Sequence, residues 1–302
     1  MRLVQINDAH IRGSSPKSRM DDYPETLYKK FCELGTFIKE NEVEAILNGG
    51  DLFDTPDPST SIVNRYVKLF SSWNIPMYSV VGSHDKFGYN DTTINRTALG
   101  TLRAAGITEL ISTPQNIGPG CSVAGISHSY TLDEDPENDY YYKKDSDDYL
   151  IQLCHGMITE GPFFGKYTLY NQIRTDADLV ICGHYHPGFG PFNNNGSTVV
   201  NIGSMGRTEH TLRRFPPGFI FIDTDIPTWE FHPFTVIEDP FLTKKQVATS
   251  TMIDMEQFIS SLKKKVGDFE KKDVNELILA LGKKQGLSSD TIKRALRYIE
   301  NE

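Results

Sequence analysis

The chain has 302 residues, of which 38% are hydrophobic and 24% charged, with a formal net charge of -9. That balance is ordinary for a globular protein with one large domain and a small appendage. It excludes a surface that is basic throughout, although an acidic protein can still meet phosphates through bound cations. It also holds no apolar run of about 18 residues, so no membrane-spanning helix is expected.

The chain opens on a strand, Arg2 to Ile6, rather than on a signal segment. Pro24 to Glu40 follows with apolar residues at Leu27, Phe31, Leu34 and Ile38, a helical spacing. Glu44 to Asn48 reads as a second strand. Pro58 to Trp73 is a helix with Ile62, Tyr66, Leu69 and Phe70 on one face. Pro76 to Val81 is a third strand and Thr97 to Ala105 a third helix. Alternation of this kind implies a parallel sheet covered by helices, with functional loops after the carboxyl ends of the strands.

From about Gly120 the texture is mainly β, with strands expected at Ser122 to Ile126, Tyr149 to Cys154, Leu179 to Cys182, Thr198 to Ile202, Gly218 to Ile222 and Trp229 to Pro233. The fold class is therefore α/β: a two-sheet β-sandwich flanked by helices over residues 1–235. Asp133 to Asp148 interrupts it with eight acidic residues and only two lysines, and reads as a solvated insertion, mobile or wrapped over a neighbouring surface. Residues 236–302 read as a C-terminal helical appendage with apolar stripes around Met255, Leu277 and Leu296. The four cysteines (Cys32, Cys121, Cys154, Cys182) have no CxxC spacing, which suits small core residues in a reducing cytoplasm.

The chemistry lies in five short motifs: Asp8-Ala9-His10, Gly50-Asp51-Leu52-Phe53-Asp54, Gly82-Ser83-His84-Asp85, Cys154-His155-Gly156 and Gly183-His184-Tyr185-His186. Each stands just after an expected strand. Residues two apart in a turning loop can point the same way, so Asp8 with His10, and His184 with His186, can each grip one ion. Asp51 follows a glycine turn, where its carboxylate could bridge two ions. Mixed nitrogen and oxygen ligation suits manganese, iron or zinc better than magnesium or calcium. Two such ions hold a phosphate and activate water. His84 is the candidate proton donor, with Asp54 or Asp85 to orient or charge it. His128, His210 and His232, outside the motifs, read as packing residues.

This motif set resembles the calcineurin-like metallophosphoesterase superfamily, whose pattern is D-x-H, G-D-x-x-D, G-N-H-D/E, a lone H and G-H-x-H. Gly50 to Thr55 and Gly82 to Phe87 are most similar to its SbcD branch of DNA repair exonucleases. The resemblance implies one ion on Asp8, His10, Asp51 and His186, and a second on Asp51, position 83, His155 and His184. Mn2+ is favoured, with Fe2+ or Zn2+ as alternatives. It further implies DNA ends as substrate, an SbcC-like coiled-coil ATPase as partner, a homodimer, and a cap or docking role for residues after 236. Ser83 departs from the pattern, since the family has asparagine there and a hydroxyl is a poorer neutral ligand. Three readings follow: a two-metal DNA exonuclease or endonuclease, a small-molecule or nucleotide phosphodiesterase, and a metal-depleted subunit that binds DNA or protein.

Overall fold

The computed structural model describes residues 1–209, 216–235 and 240–241. The helices expected in the tail, and His210, lie outside them.

Fourteen strands and four α-helices are formed among the described residues. One sheet contains β1 (Arg2–Ile6), β2 (Ala45–Asn48), β3 (Met77–Ser79) and β4 (Thr108–Leu110) as parallel neighbours. The second has β5 (Gln115–Gly118), β6 (Cys121–Ile126), β7 (Tyr149–Cys154), β10 (Leu179–Cys182), β11 (Phe189–Asn194) and β12 (Ser197–Asn201), with β8 (Ile158–Thr159) and β9 (Thr168–Leu169) pairing apart from both sheets. In that second sheet β12, β10, β7 and β6 run parallel, while β11 and β5 close its edges in the antiparallel sense. The first sheet is extended beyond β1 by antiparallel β13 (Gly218–Asp223) and β14 (Thr228–Pro233).

The period-two alternation of the strands divides the core into three layers. Leu3, Ala45 and Leu47 face Val123, Ile151 and Ile181 between the sheets. Val4, Ile6 and Ile46 turn the other way, onto α1 (Tyr23–Glu40), α2 (Thr60–Trp73) and α3 (Ala98–Ala104). The outer face of the second sheet, including Cys154 and Cys182, is covered by Leu132 and Tyr140. The acidic insertion is therefore wrapped onto the domain: Tyr140 is fully buried, its hydroxyl donates to Asp133, and its carbonyl accepts from Gln152.

Helix α1 starts where Asp22 accepts the Glu25 N–H and Pro24 sits in the first turn, a position needing no amide hydrogen. Helix α2 stops at Asn74, whose left-handed conformation (φ 54°) turns the chain into Ile75-Pro76. Phe31 of α1 is fully buried, edge-on to Tyr66 and Phe70 at 5.4 and 5.2 Å between ring centroids. Phe31→Ala is expected to cost about 3–5 kcal/mol of stability, by lost transfer energy and the cavity left behind. Urea unfolding checks this, and a loss under about 1 kcal/mol would mean that α1 repacks around the void.

Among the described residues the expected elements form with ends shifted by one or two residues, as at Thr60 for Pro58 and Ser79 for Val81. Strands β4, β5, β8, β9 and β11 lack a sequence signal. Two have only two residues, and β11 carries Gly190-Pro191, which argues against a strand until its edge position is known. No helix among the described residues is long and apolar enough to cross a membrane.

Candidate metal centre

All the motif residues stand on loops leaving the carboxyl ends of parallel strands: Asp8 and His10 after β1, Asp51 after β2, Ser83 and His84 after β3, His155 after β7, and His184 and His186 after β10. The two sheets meet at these loops. Asn7 donates to the Cys182 carbonyl at 2.7 Å, His155 Nδ1 lies 2.7 Å from the Gly49 carbonyl, and the His184 N–H donates to the Asp8 carboxylate at 3.1 Å.

Three groups of ligand atoms converge there, Asp8/His10/His186, Asp51/His155/His184 and, overlapping both, His10/Asp51/His84, each with its atoms within 4.8 Å of one another. Four of these residues, Asp8, His10, Asp51 and His184, have φ between 48° and 73°. Left-handed backbone is costly for residues with a side chain, and it persists where the surrounding structure over-determines it. Glycines permit the close approach. A Cβ on Gly82 would lie 2.0 Å from Asp51 Oδ1, and one on Gly50 2.3 Å from His155 Nδ1. From below, Tyr23 of α1 donates its hydroxyl to the Ala9 carbonyl at 3.0 Å, bracing the first loop.

The donor set fits divalent cations. The Nε2 atoms of His10 and His186 approach to 3.0 Å, so two imidazole edges point into one small space. His155 Nε2 and His10 Nδ1 are fully buried without a hydrogen bond of acceptable geometry. His155 Nδ1 donates to the Gly49 carbonyl, which aims Nε2 at Asp51 Oδ2, 3.2 Å away.

Burial pushes Asp8 up to about 7, with Asp51 adding to the effect and His155 opposing it. Burial would also raise Asp51, but His155 beside it holds its carboxyl well below the usual range. His155 in turn is raised to about 9 against its own burial, mainly by Asp51. Asp51 Oδ2 and His155 Nε2 thus face each other 3.2 Å apart, without a hydrogen bond of acceptable geometry, in a position suited to a cation. Burial keeps His184 neutral, at about 3, as a ligand imidazole must be.

Ser83 donates its hydroxyl to Asp51 Oδ2 at 3.2 Å, the same oxygen that His155 meets. His84 is exposed; its N–H donates to Asp51 Oδ1 at 2.7 Å, and its ring stands edge-on to His10 at 4.8 Å. Its orientation differs from expectation. Nδ1 lies 2.7 Å from the backbone carbonyl of Asp54, not from a carboxylate. The Asp54 carboxylate faces His10 Nδ1 at 3.6 Å and Arg12 at 3.1 Å. Asp85 does not orient His84: it is buried and accepts the N–H groups of Asp51 and Gly82, each at 2.9 Å, so it fixes the loop instead.

His128 was expected to be a packing residue, yet its ring lies 5.3 Å from His184 and 6.3 Å from His155. The available signal was its place two residues beyond β6, a parallel strand whose carboxyl end joins the same cluster. His232, by contrast, packs against Phe219 in a stack at 5.3 Å.

The model of the calcineurin-like phosphoesterase family matches residues 1–188. The chain is similar to the DNA double-strand break repair protein Mre11 of Sulfolobus acidocaldarius, 23% identical over 212 residues that cover 68% of this chain and 54% of that protein. The Saccharolobus solfataricus protein of the same name is 24% identical over 241 residues, 75% and 62% of the two chains. The chain therefore spans a little over half the length of these relatives. Among solved structures, a dimetal phosphatase from Danio rerio superposes with a TM-score of 0.49 at 9% identity, over 73% of this chain and 92% of the other.

Proposed function

The chain belongs to the calcineurin-like phosphoesterase family, and from that membership we propose that it is a two-metal phosphodiester hydrolase acting on DNA as an exonuclease or endonuclease. The observation that carries the reaction is the convergence of Asp8/His10/His186 and Asp51/His155/His184 at one mouth, with His84 exposed beside them. Similarity to proteins named for DNA double-strand break repair supports the substrate.

Asp8, His10, Asp51 and His186 would hold one cation, and Asp51, His155 and His184 the other, with Ser83 at its margin. Mn2+ is the ion the donor set favours, with Fe2+ or Zn2+ next. Bound there, the pair supplies positive charge and Lewis acidity to a phosphoryl group. The chain's own residues do the rest. Asp51 would stand between the clusters, with Oδ1 accepting the His84 N–H and Oδ2 facing His155. His84, its Nδ1–H donated to the Asp54 carbonyl, presents Nε2 for proton delivery to the leaving oxygen. An SbcC-like coiled-coil ATPase and a second copy of the chain are the proposed partners, on the strength of the SbcD-like motifs. Residues 236–302 are the proposed cap or docking segment, and the cytoplasm is the proposed location.

The test is a Mn2+ titration on linear duplex DNA, single-stranded DNA and a chromogenic bis-aryl phosphate diester. DNA degradation rising with metal is expected. Cleavage of the diester alone would give the small-substrate phosphodiesterase. Silence on every substrate, with the fold intact, would favour a binding subunit, the reading to which Ser83 lends support. Ser83→Asn is expected to lower the Mn2+ concentration for half-maximal rate by about 10–100-fold, because an amide oxygen replaces a weak hydroxyl ligand. An unchanged midpoint would remove position 83 from the metal's surroundings.

A further inference from the structure

We infer that His128 is a positioning residue of the second cation position, where its imidazole nitrogen makes up for the weak hydroxyl of Ser83. The inference rests on the two-metal reading and deepens it: it concerns how that position is held, not what is cleaved.

The two positions are unequally provided. Asp8, His10 and His186 group on one side, with Asp51 within reach of His10, whereas the other side has Asp51, His155 and His184. Ser83 adds little to the second group, because its hydroxyl is already donated to Asp51 Oδ2.

The loop that carries Ser83 also fixes His128. The Val81 N–H donates to Ser127 Oγ at 2.9 Å, and the His128 N–H donates to the Val81 carbonyl at 2.9 Å. Lys86, whose side chain is buried, donates its ammonium to the His128 carbonyl. Val81 and Lys86 bracket the Gly82–Asp85 turn, so His128 is tied to that turn from both of its ends. Its ring then lies 5.2 Å from Tyr89, 5.3 Å from His184 and 6.3 Å from His155.

The ring's own bonding separates it from a packing residue. His128 Nδ1 is buried and has no hydrogen-bond partner. An unpaired buried nitrogen costs free energy that a phenylalanine in the same place would not. The same sign marks His155 Nε2 and His10 Nδ1 within the clusters. His128 is not itself among the grouped ligand atoms. Its nitrogen therefore acts from beyond them, at the remove from which partners of a ligand set metal affinity.

The test is Mn2+ binding to the full chain without substrate, followed by calorimetry and by electron paramagnetic resonance, which tells a coupled pair of ions from isolated ones. His128→Phe keeps an aromatic ring and removes the nitrogens. It is expected to weaken the second ion by about 10–100-fold and to leave the first unchanged. Adding Ser83→Asn to that variant should restore the second ion, because an amide oxygen then supplies the donor. A second ion bound at the parent's midpoint in His128→Phe overturns the proposal, as does a folded double variant that is not restored. Should His128→Phe not fold, His128→Gln and His128→Leu decide. Glutamine, which offers both a donor and an acceptor, should keep more of the affinity than leucine, and equal affinity in both overturns the proposal. A parent chain that binds a single Mn2+ at every concentration removes the second position and this proposal with it. Because binding is read without substrate, absent cleavage would sink the hydrolase reading and leave this result standing. Cleavage with an unmoved midpoint in His128→Phe would sink this proposal alone.

Discussion

Asp51→Asn is expected to empty both metal positions and to lower Mn2+-dependent diester hydrolysis by more than about 100-fold. Even the partners that merely orient a ligand are worth about 10–100-fold in metal affinity or activity, and Asp51 groups both with His155 and His184 and with His10, a member of the other cluster. Oδ2 faces His155 Nε2 at 3.2 Å, and Oδ1 accepts the His84 N–H at 2.7 Å. Asparagine is the informative replacement. Asp51 sits at φ 49°, a conformation that asparagine tolerates well and alanine does not, so the variant removes charge without adding backbone strain. Metal content per chain, measured by elemental analysis after dialysis against Mn2+, should fall from two to near zero. A chain that still holds one ion would show that Asp51 serves a single cluster, and the assignment of a shared carboxylate would fail.

The parallel strands and the metal-centre motifs were legible in the sequence for related physical reasons. Buried strands such as Leu179–Cys182 are short continuous apolar runs, and the loops that follow them must carry the polar groups that the sheet cannot hold. Asp8, Asp51, His155 and His184 therefore announce themselves by position as well as by type. What stayed illegible depends on side chains meeting across the chain. His128 reads as an isolated histidine until β6 is placed beside β7, which brings its loop against His155 and His184. Asp85 looks like a partner for His84, its neighbour in sequence, yet the turn sends its carboxylate to the amides of Asp51 and Gly82. Asp54 orients His84 through its main-chain carbonyl, an atom every residue has and no motif can mark. The edge strand β11 was hidden by its proline, which is tolerated because β11 lies at the end of the sheet.

His84→Gln is expected to separate proton delivery from metal binding. The His84 ring is more exposed than those of His10, His155 and His184, and its Nδ1 is committed to the Asp54 carbonyl, which leaves one nitrogen toward the mouth of the site. A positioned acid contributes about 10²–10⁴-fold to rate, so kcat on DNA should fall within that range while two metal ions remain bound. The loss should depend on the leaving group. A nucleoside alkoxide is strongly basic and needs a proton as the phosphorus–oxygen bond breaks, whereas a nitrophenolate leaves without one. Hydrolysis of the chromogenic diester should therefore fall far less than DNA cleavage in the same variant. His10, Asp51 and His84 can also be grouped as ligand atoms within 4.8 Å, and that alternative gives the opposite pattern: metal content would drop, and both substrates would slow by the same factor. Equal slowing with metal retained would instead assign His84 to binding the phosphate, with the proton supplied from elsewhere.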